Sequence, residues 1–269
     1  MGRFLGQHFL KDLNIRDKII AAAQLTDKDR ILEIGPGKGV LTEQLLQRSE
    51  AVTAIELDSS LAQALRALPK LNLIEGDILG LDLTEILQGS EQQPALPRSW
   101  KVVANLPYYI TSPILEKLLC SSGDYLDYIV VMIQKEVAER LASIAQRQTS
   151  SLSYFVNYYA SVEYLFTVKP GCFAPPPKVD SAVVRLTMRR QPPVSAPPPA
   201  LFKVIRTAFQ ERRKTLRRSL LKLPGPITSY QWGTIWQQAD IDPQRRPETL
   251  SLEEFSNLTE AIIQQAERN

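Results

Sequence analysis

The feature that most constrains the fold is an alternation of short, β-rich apolar runs with helical patterns over the first 140 residues. This alternation predicts βαβ units, and hence an α/β fold built on a mainly parallel sheet. Two further apolar runs follow with only a proline-rich loop between them, which predicts an antiparallel pair at the sheet edge. The seven predicted strands span 30–34, 51–56, 71–75, 100–104, 127–133, 161–168 and 181–188.

A proline-rich stretch, QPPVSAPPPA at 191–200, marks the predicted domain boundary. It holds too many prolines for a helix or a central strand, so we expect a semi-rigid linker. A chain of 269 residues also exceeds what one hydrophobic core usually organises. We therefore expect an α/β domain over 1–190 and a small all-α domain over 201–269. Candidate core anchors of the second domain are Trp232, Trp236 and Phe255.

Composition argues against several classes of function. Two distant cysteines and one histidine predict no disulfide framework, no structural metal and little imidazole chemistry. The apolar runs all fall short of the roughly 20 residues that a membrane span needs, and the N-terminal segment lacks the apolar core of a signal peptide. We therefore expect a soluble, cytoplasmic protein without a metal or a membrane partner. A monomer is also expected, although no motif determines the oligomeric state.

Positive charge is concentrated in one segment, although the net charge of the chain is only +3. Residues 201–222 hold eight lysines and arginines against one acid, Glu211. The segment predicts one helix whose apolar face is formed by Leu201, Ile205, Ala208, Leu216 and Leu220. Its basic face is formed by residues that recur at spacings of three or four: Lys203, Arg206, Gln210, Arg213 and Arg217. Such a face suits a polyanion, although a merely solvated surface is the alternative. The candidate RNA contacts are Lys203, Arg206, Arg213, Lys214 and Arg217.

A glycine-rich turn, Gly35-Pro36-Gly37-Lys38-Gly39, follows the first predicted strand. Glycines at every second position let the backbone turn sharply and approach a ligand closely. The pattern G-x-G-x-G differs from the G-x-G-x-x-G of a dinucleotide site. By itself the turn is weak support for a nucleoside cofactor, because many such turns are ordinary loops.

Acidic residues at the next two strand ends strengthen the cofactor hypothesis. Glu56 ends the second strand roughly 20 residues after the glycines, where a carboxylate can accept from ribose hydroxyls. Asp77 follows the third strand and could accept from an adenine amine. Taken singly, each acid is also explained as a solvated strand-end residue. Together they predict a nucleoside across the carboxyl ends of three strands, with NAD still open as its identity.

The fourth predicted strand ends in Asn105-Leu106-Pro107-Tyr108. Pro107 biases Leu106 toward an extended conformation, so its carbonyl is expected to align with the Asn105 side chain. Two such acceptors favour a pyramidal amine whose lone pair faces a methyl donor, and no strong base is needed before attack. Tyr108 offers one aromatic face to a target base and Phe173 the other, unless Phe173 simply packs its loop.

Taken together and in order, the motifs of this chain resemble the ribosomal RNA adenine N6-dimethyltransferase family over nearly its whole length. The resemblance implies a class I S-adenosylmethionine-dependent methyltransferase fold, a Rossmann-like seven-stranded sheet with a small C-terminal all-α domain. The matching segments are GQHFL (6–10), LEIGPGKGVLT (32–42), ELD (56–58), GDIL (76–79), NLPY (105–108), FAPPPKVDS (173–181), RTAF (206–209), RRKTL (212–216) and RPETL (246–250).

The same resemblance implies the cofactor, the substrate and the residues that touch them. The cofactor is S-adenosyl-L-methionine, and the reaction places two methyl groups on each of two adjacent adenosines near the 3′ end of small-subunit ribosomal RNA. The partner is this RNA or an immature small subunit. The implied cofactor contacts are His8, Leu10, Gly35, Gly37, Glu56, Asp77, Ile78 and Asn105.

Three alternatives remain open at this point. A large-subunit RNA adenine methyltransferase of the macrolide-resistance type shares the expected fold, but Leu106 and the C-terminal motifs disfavour it. A DNA adenine methyltransferase usually has proline at the position of Leu106. A non-catalytic assembly or transcription factor would not need the intact cofactor motifs. Retention of S-adenosylmethionine separates this last class from the enzymes.

Overall fold

Seven strands form one sheet in the computed structural model, which describes residues 7–90, 93–94, 99–121, 125–211, 213–223 and 227–267. Every predicted strand is present, and its bounds agree within one residue at each end. The strands are β1 (Arg30–Ile34), β2 (Ala51–Glu56), β3 (Leu71–Glu75), β4 (Trp100–Asn105), β5 (Leu126–Gln134), β6 (Ala160–Val168) and β7 (Ser181–Met188).

The order of the strands across the sheet is β3-β2-β1-β4-β5-β7-β6. The first five strands in this order pair in parallel, whereas β7 runs antiparallel to both β5 and β6. The predicted antiparallel pair at the edge is therefore confirmed, with β6 outermost. This order defines the class I methyltransferase fold, so the predicted fold class is confirmed.

Six helices accompany these strands in the first part of the chain. The central strands β1, β2, β4 and β5 are almost continuously buried, as expected for a parallel sheet covered on both faces. Asp12 and Asp58 begin two of the helices by accepting hydrogen bonds from free backbone N–H groups. The helices are α1 (Leu13–Ala22), α2 (Thr42–Leu46), α3 (Ser59–Leu65), α4 (Leu83–Gln88), α5 (Thr111–Ser121) and α6 (Lys135–Ala142).

Five more α-helices follow in the described part of the chain. They are α7 (Ser151–Tyr159), α8 (Pro198–Phe209), α9 (Leu216–Leu220), α10 (Ser229–Ala239) and α11 (Leu252–Ala266). Trp232 and Phe255 are buried, as expected of core anchors, and Trp236 is half-buried with its ring stacked 5.1 Å from that of Trp232. Among these described helices, none has the length and apolar character needed to cross a membrane.

The chain divides into two compact units whose bounds differ from those of the predicted domains. The first unit runs to Glu139 and resumes over Ala160–Met188, and the second joins Arg140–Tyr159 to the residues from Arg189 onward. Helix α7 thus belongs to the helical unit, although it lies within the predicted 1–190 domain. The reason is the fully buried Tyr154, whose ring contacts two phenylalanines of this unit and whose hydroxyl donates to the Leu250 carbonyl at 2.6 Å.

The predicted linker over 191–200 is also shorter than expected, because α8 begins at Pro198. Proline is tolerated in the first turn of a helix, where its missing N–H would have no partner in any case. The start of the helical domain, predicted at residue 201 from the number of prolines, therefore lies three residues earlier, at Pro198.

The single basic helix predicted over 201–222 is wrong, because the helix ends at Phe209 and α9 starts at Leu216. A continuous helix would need the amides of Leu216 and Arg217 to bind the preceding turn. Those amides instead donate to the carbonyls of Arg245 and Pro243, at 2.9 and 3.0 Å. The apolar residues of the segment are nevertheless buried as predicted: Leu201, Ile205, Ala208, Leu216 and Leu220.

Candidate active site

The carboxyl ends of β1, β2, β3 and β4 border one open cleft in the first unit, with about 1040 Å³ of space that is partly continuous with solvent. This edge is where a parallel sheet of this kind binds its ligand. Eleven of the residues predicted to form the site line this cleft together: His8, Leu10, Gly35, Gly37, Glu56, Asp77, Ile78, Asn105, Leu106, Pro107 and Tyr108.

The glycine turn at the end of β1 requires glycine for two reasons. Gly35 and Gly37 have φ values of +64° and +58°, in the left-handed region that other residues rarely adopt. A Cβ at Gly37 would also lie 3.1 Å from the ring of Phe9, whereas a Cβ at Gly35 would meet no atom of the described part of the chain within 4 Å. The turn therefore lets the described N-terminal arm, residues 7–10, lie close on one side and leaves room for a ligand on the other.

Glu56 is buried at the end of β2 and holds the glycine turn in place. Its Oε2 accepts from the N–H of Gly37 at 3.0 Å, and its Oε1 accepts from the N–H of Asp58 at 2.9 Å. Because each carboxylate oxygen has a second lone pair, both can still accept from hydroxyl groups of a ligand. The side chain is thus fixed in position before a ribose arrives.

The loop after β3 is held by polar contacts at both ends. Oδ1 of Asp77 accepts from the N–H of Leu79 at 2.9 Å. Nζ of Lys117, on α5, donates to the Leu79 carbonyl at 2.8 Å and also to that of Leu81. Asp77 and the following Ile78 are therefore presented to the cleft by an ordered loop.

Two apolar side chains that directly follow Glu56 and Asp77 in the sequence also line the cleft. Ile78 is buried, whereas Leu57 is 47% exposed although it lines the cleft. An exposed leucine beside a buried carboxylate is typical of a site where a planar base binds and covers the leucine side chain. Leu57 was not among the predicted site residues, and its place directly after Glu56 is the signal that could have found it.

Asn105 ends β4 with its amide group oriented by the N-terminal arm. Its Nδ2 donates to the backbone carbonyl of His8 at 3.0 Å. Since that carbonyl can only accept, the NH₂ group must face it, and Oδ1 is left as the acceptor on the other side. The carbonyl of Pro107 accepts from the N–H of Ile110 and the hydroxyl of Thr111. That the Leu106 carbonyl also faces the substrate amine stays a prediction.

Tyr108 is half-buried beside Asn105, with contacts at both ends of its side chain. Its hydroxyl shares a hydrogen bond with the hydroxyl of Ser181, at the start of β7. The ring of His8 lies 5.7 Å away at a tilt of 32°, and His8 Nδ1 donates to the Pro175 carbonyl at 2.8 Å. Burial raises the pKa of Tyr108, so its phenol stays neutral.

Phe173 lies elsewhere, contrary to its predicted role as the second stacking face. It is 1% exposed, pairs with Leu10 in a short antiparallel ladder and packs in the hydrophobic core with Val183. Its side chain does not line the cleft. The exposed aromatic residue that does so, beside Tyr108, is Tyr109, with 57% of its surface accessible.

Glu33 is a second residue that the site analysis of the sequence missed. It lies in β1 and lines the cleft, yet it is 1% exposed, and its Oε2 has no hydrogen-bond partner among the residues that the structure describes. Burial raises its pKa to about 8, with a smaller contribution from the nearby carboxylate of Glu56 and an opposing one from Thr42. A charged residue within the apolar run RILEI was the available signal.

The predicted RNA-contacting residues all lie in the second unit, but not on one helix. Lys203 and Arg206 belong to α8, Arg217 belongs to α9, and Arg213 and Lys214 lie in the turn between these helices. All five are exposed. Glu211 forms an ion pair with Lys222 at 2.7 Å, and Lys222 is not one of the five predicted RNA contacts. Within the described ranges, no group of three acidic, cysteine or histidine side chains is arranged to hold a metal ion.

Comparison with known proteins places this fold and site in one family. The family model of the ribosomal RNA adenine dimethylases matches residues 2–263. A Clostridium perfringens relative, called ribosomal RNA small subunit methyltransferase A, is 44% identical over 266 residues, 96% of this chain and 89% of the relative. A Bacillus pumilus relative of the same name is 43% identical over 266 residues, with 96% and 90% covered. The chain belongs to the ribosomal RNA adenine dimethylase family.

Solved structures agree with this assignment. A dimethyladenosine transferase from Plasmodium falciparum is 28% identical, with a TM-score of 0.75 over 93% of this chain and 96% of that one. The 23S rRNA methyltransferase ErmE is 25% identical, with a TM-score of 0.67 over 95% and 99% of the two chains. The protein is therefore an enzyme of the RNA-methyltransferase class.

Proposed function

We propose that the protein uses S-adenosyl-L-methionine to dimethylate the N6 amines of two adjacent adenosines near the 3′ end of small-subunit ribosomal RNA, in the cytoplasm. The observation that carries the proposal is the Asn105 amide, fixed by His8 in the same cleft as Glu56 and the glycine turn. The hydrogen-bond acceptor for the substrate amine and the proposed nucleoside site thus lie in the same cleft. The family and the names of relatives at 40–44% identity support the RNA substrate.

The residues of the cleft fit this cofactor. Glu56 would accept from the ribose hydroxyls, Asp77 from the adenine amine, and Leu57 and Ile78 would lie against the base. Gly35 leaves open space where a side chain would otherwise stand. When bound, S-adenosylmethionine supplies a methyl group on a positively charged sulfur, which a neutral amine can attack.

The protein's own groups then align and activate the amine. The N6 lone pair of adenine is delocalised into the ring, and a hydrogen bond from N6 to Asn105 Oδ1 favours the pyramidal form that can attack. Because this acceptor is already in position before the reaction, little free energy is needed to reorganise the protein around the transition state. Tyr108 offers its ring face to the target base, and stacking of this kind contributes about 1–3 kcal/mol per base.

The small subunit is favoured over the large one as the source of the RNA. ErmE, which acts on 23S rRNA, shares the fold at 25% identity. Relatives called small subunit methyltransferases are 40–44% identical over 96% of the chain. The test is incubation with labelled S-adenosylmethionine and unmethylated small or large subunits, followed by mapping of the modified nucleotides. Label is expected in two adjacent adenosines of the small-subunit RNA, and label in large-subunit RNA would overturn the proposal.

The exposed cations of α8, α9 and their connecting turn are proposed to bind RNA phosphates. Changing Arg206, Arg213 and Arg217 together to glutamine should preserve both helices, because glutamine is a comparable helix former. Binding to small subunits should weaken, and the slope of log affinity against log salt should become shallower by about 2, at roughly 0.7 per lost contact. Filter-binding titrations at several salt concentrations measure both quantities.

A matched control is glutamine at three exposed cations of the first unit, Lys28, Arg48 and Arg66, which removes the same charge elsewhere. This control variant should keep the wild-type slope, and both variants should keep cofactor affinity. An unchanged slope in the α8–α9 variant would mean that its cations are only solvated surface.

A further inference from the structure

Lys117 is a half-buried cation of the first unit whose ammonium group binds two backbone carbonyls. Its Nζ donates to the carbonyl of Leu79 at 2.8 Å and also to that of Leu81. Both carbonyls belong to one loop, residues 76–82, between β3 and α4. Most lysines at a protein surface keep the ammonium group in water. A lysine that instead bonds two carbonyls of one loop helps to determine the path of that loop.

The loop carries Asp77 and Ile78, the two residues assigned to the adenine base. Asp77 is exposed, and its Oδ1 accepts from the N–H of Leu79, two residues further along. The Asp77 carbonyl accepts from the N–H of Leu81 at 3.2 Å. Because these bonds lie within the loop, they fix its shape and not its position in the cleft. Lys117 adds the bonds that join this turn to a helix outside it.

Helix α5 connects the loop to the proposed centre of methyl transfer. It begins at Thr111, shortly after the strand end that carries Asn105 and Tyr108. Ile114, one turn before Lys117 on the same helix, lines the cleft. A hydrogen bond from a charged donor is about twice as strong as one between neutral groups. The two bonds of Lys117 therefore hold the adenine loop firmly against the helix that follows the target-base segment.

We propose that Lys117 is a positioning residue that holds Asp77 where it can accept from the 6-amino group of adenine, so that the cleft selects adenine nucleosides over purines without this amine. The inference rests on the proposed function, because it takes Asp77 as the acceptor of the cofactor's adenine amine. Lys117 does not line the cleft and acts only through the loop. Without Lys117 the loop would keep its bond to the sheet, from the N–H of Gly76 to the Glu56 carbonyl at 2.8 Å, but lose its bonds to α5. The Asp77 carboxylate would then no longer be held in one position.

Calorimetry with two ligands measures this selectivity: S-adenosylhomocysteine and its analogue with hydrogen in place of the 6-amino group. The wild-type protein should prefer the adenine ligand by about 10- to 100-fold, the effect of one hydrogen bond to a charged acceptor. Lys117→Met keeps the length of the side chain and its apolar stem but removes the donors. Its preference should fall to about threefold or less, because the hydrogen bond to the amine is weakened. The analogue should bind to this variant as it does to the wild type.

Two further measurements separate positioning from a loss of folded structure. Lys117→Arg retains a positive charge and N–H donors, so it should keep a preference of about tenfold or more. In Lys117→Met the KM for S-adenosylmethionine should rise by about tenfold, whereas kcat at saturating cofactor should stay within about twofold of wild type, because Asn105 is unchanged. A general loss of folded structure would lower kcat as well.

Lys101 offers a matched control, because its Nζ also donates to a backbone carbonyl, that of Gln24, at 2.7 Å. It pairs with Asp29 at 2.9 Å and lies near the start of β4, at the opposite end of the strand from Asn105. Its side chain does not line the cleft. Lys101→Met should therefore lower the melting temperature but keep the wild-type preference for the adenine ligand.

A double-mutant cycle tests whether Lys117 acts through Asp77. Asp77→Ala should abolish the preference by itself, and adding Lys117→Met should then weaken binding by less than about twofold. Additive losses in the double variant, or a Lys117→Met protein with the wild-type preference, would overturn the inference and leave the proposed function intact. A wild-type protein that binds both ligands equally would also overturn the inference alone. Absence of S-adenosylhomocysteine binding would overturn both.

Discussion

Replacing Asn105 by alanine is expected to slow methyl transfer by about 100- to 1,000-fold, the usual effect of removing one preorganised hydrogen-bonding group from a reaction centre. The variant loses Oδ1, the acceptor for the substrate amine, and also the Nδ2 contact that joins β4 to the His8 carbonyl. RNA binding should change little, because no phosphate contact is removed. Single-turnover methylation of small subunits at saturating cofactor measures the chemical step directly.

Two further variants make the Asn105 experiment specific. Asn72→Ala removes an amide in β3 that bonds to the hydroxyl of Thr53 and does not line the cleft, so the transfer rate should stay near that of the wild type. Asn105→Asp keeps an acceptor but turns an oxygen toward the His8 carbonyl, where two acceptors repel. It should therefore also be slow. An Asn105→Ala rate within threefold of wild type would exclude the proposed role.

The central strands of the sheet could be predicted from sequence because they are short apolar runs that are buried on both faces. Arg30–Ile34 and Ala51–Glu56 are of this kind, and local composition alone delimits them. The ladder between Phe9–Leu10 and Phe173–Ala174 was not predicted, because its partners are more than 160 residues apart and each is two residues long. Burial of Phe173 depends on this distant pairing, so the sequence could not decide between stacking on a base and packing in the protein.

The helical unit also shows that contacts between distant residues cannot be predicted from local sequence. Spacing of three and four correctly identified which side chains of 201–222 are apolar and buried. It could not show that the amides of Leu216 and Arg217 bind the carbonyls of Arg245 and Pro243, which ends the helical run. Local periodicity determines which face is buried, whereas distant backbone partners determine where a helix ends.

The candidate site was largely predictable because it is built at strand ends. In a parallel sheet these ends meet at one edge, so Glu56, Asp77 and Asn105 are brought together by topology alone. Glu33 and Leu57 were missed for different reasons. Glu33 lies inside a strand, where only the structure shows that it is buried in the wall of the cleft, and Leu57 is recognisable by its exposure beside a buried acid.

Glu56→Ala should weaken binding of S-adenosylhomocysteine by about 1.5–3 kcal/mol, because a charged acceptor of ribose hydroxyls is lost. This range corresponds to about 10- to 150-fold in Kd. The structure adds a second cause: the N–H groups of Gly37 and Asp58 lose their acceptor, so the glycine turn is no longer fixed to β2.

Isothermal titration calorimetry measures this change, and the neighbouring strand offers a control. Glu75 ends β3, but it is exposed, pairs with Arg66 and does not line the cleft, so Glu75→Ala should bind S-adenosylhomocysteine like the wild type. Glu56→Gln retains one acceptor oxygen and should fall between the wild type and Glu56→Ala. If Glu56→Ala kept full affinity, the ribose would have to be held elsewhere, and Glu56 would serve only to anchor the backbone of Gly37.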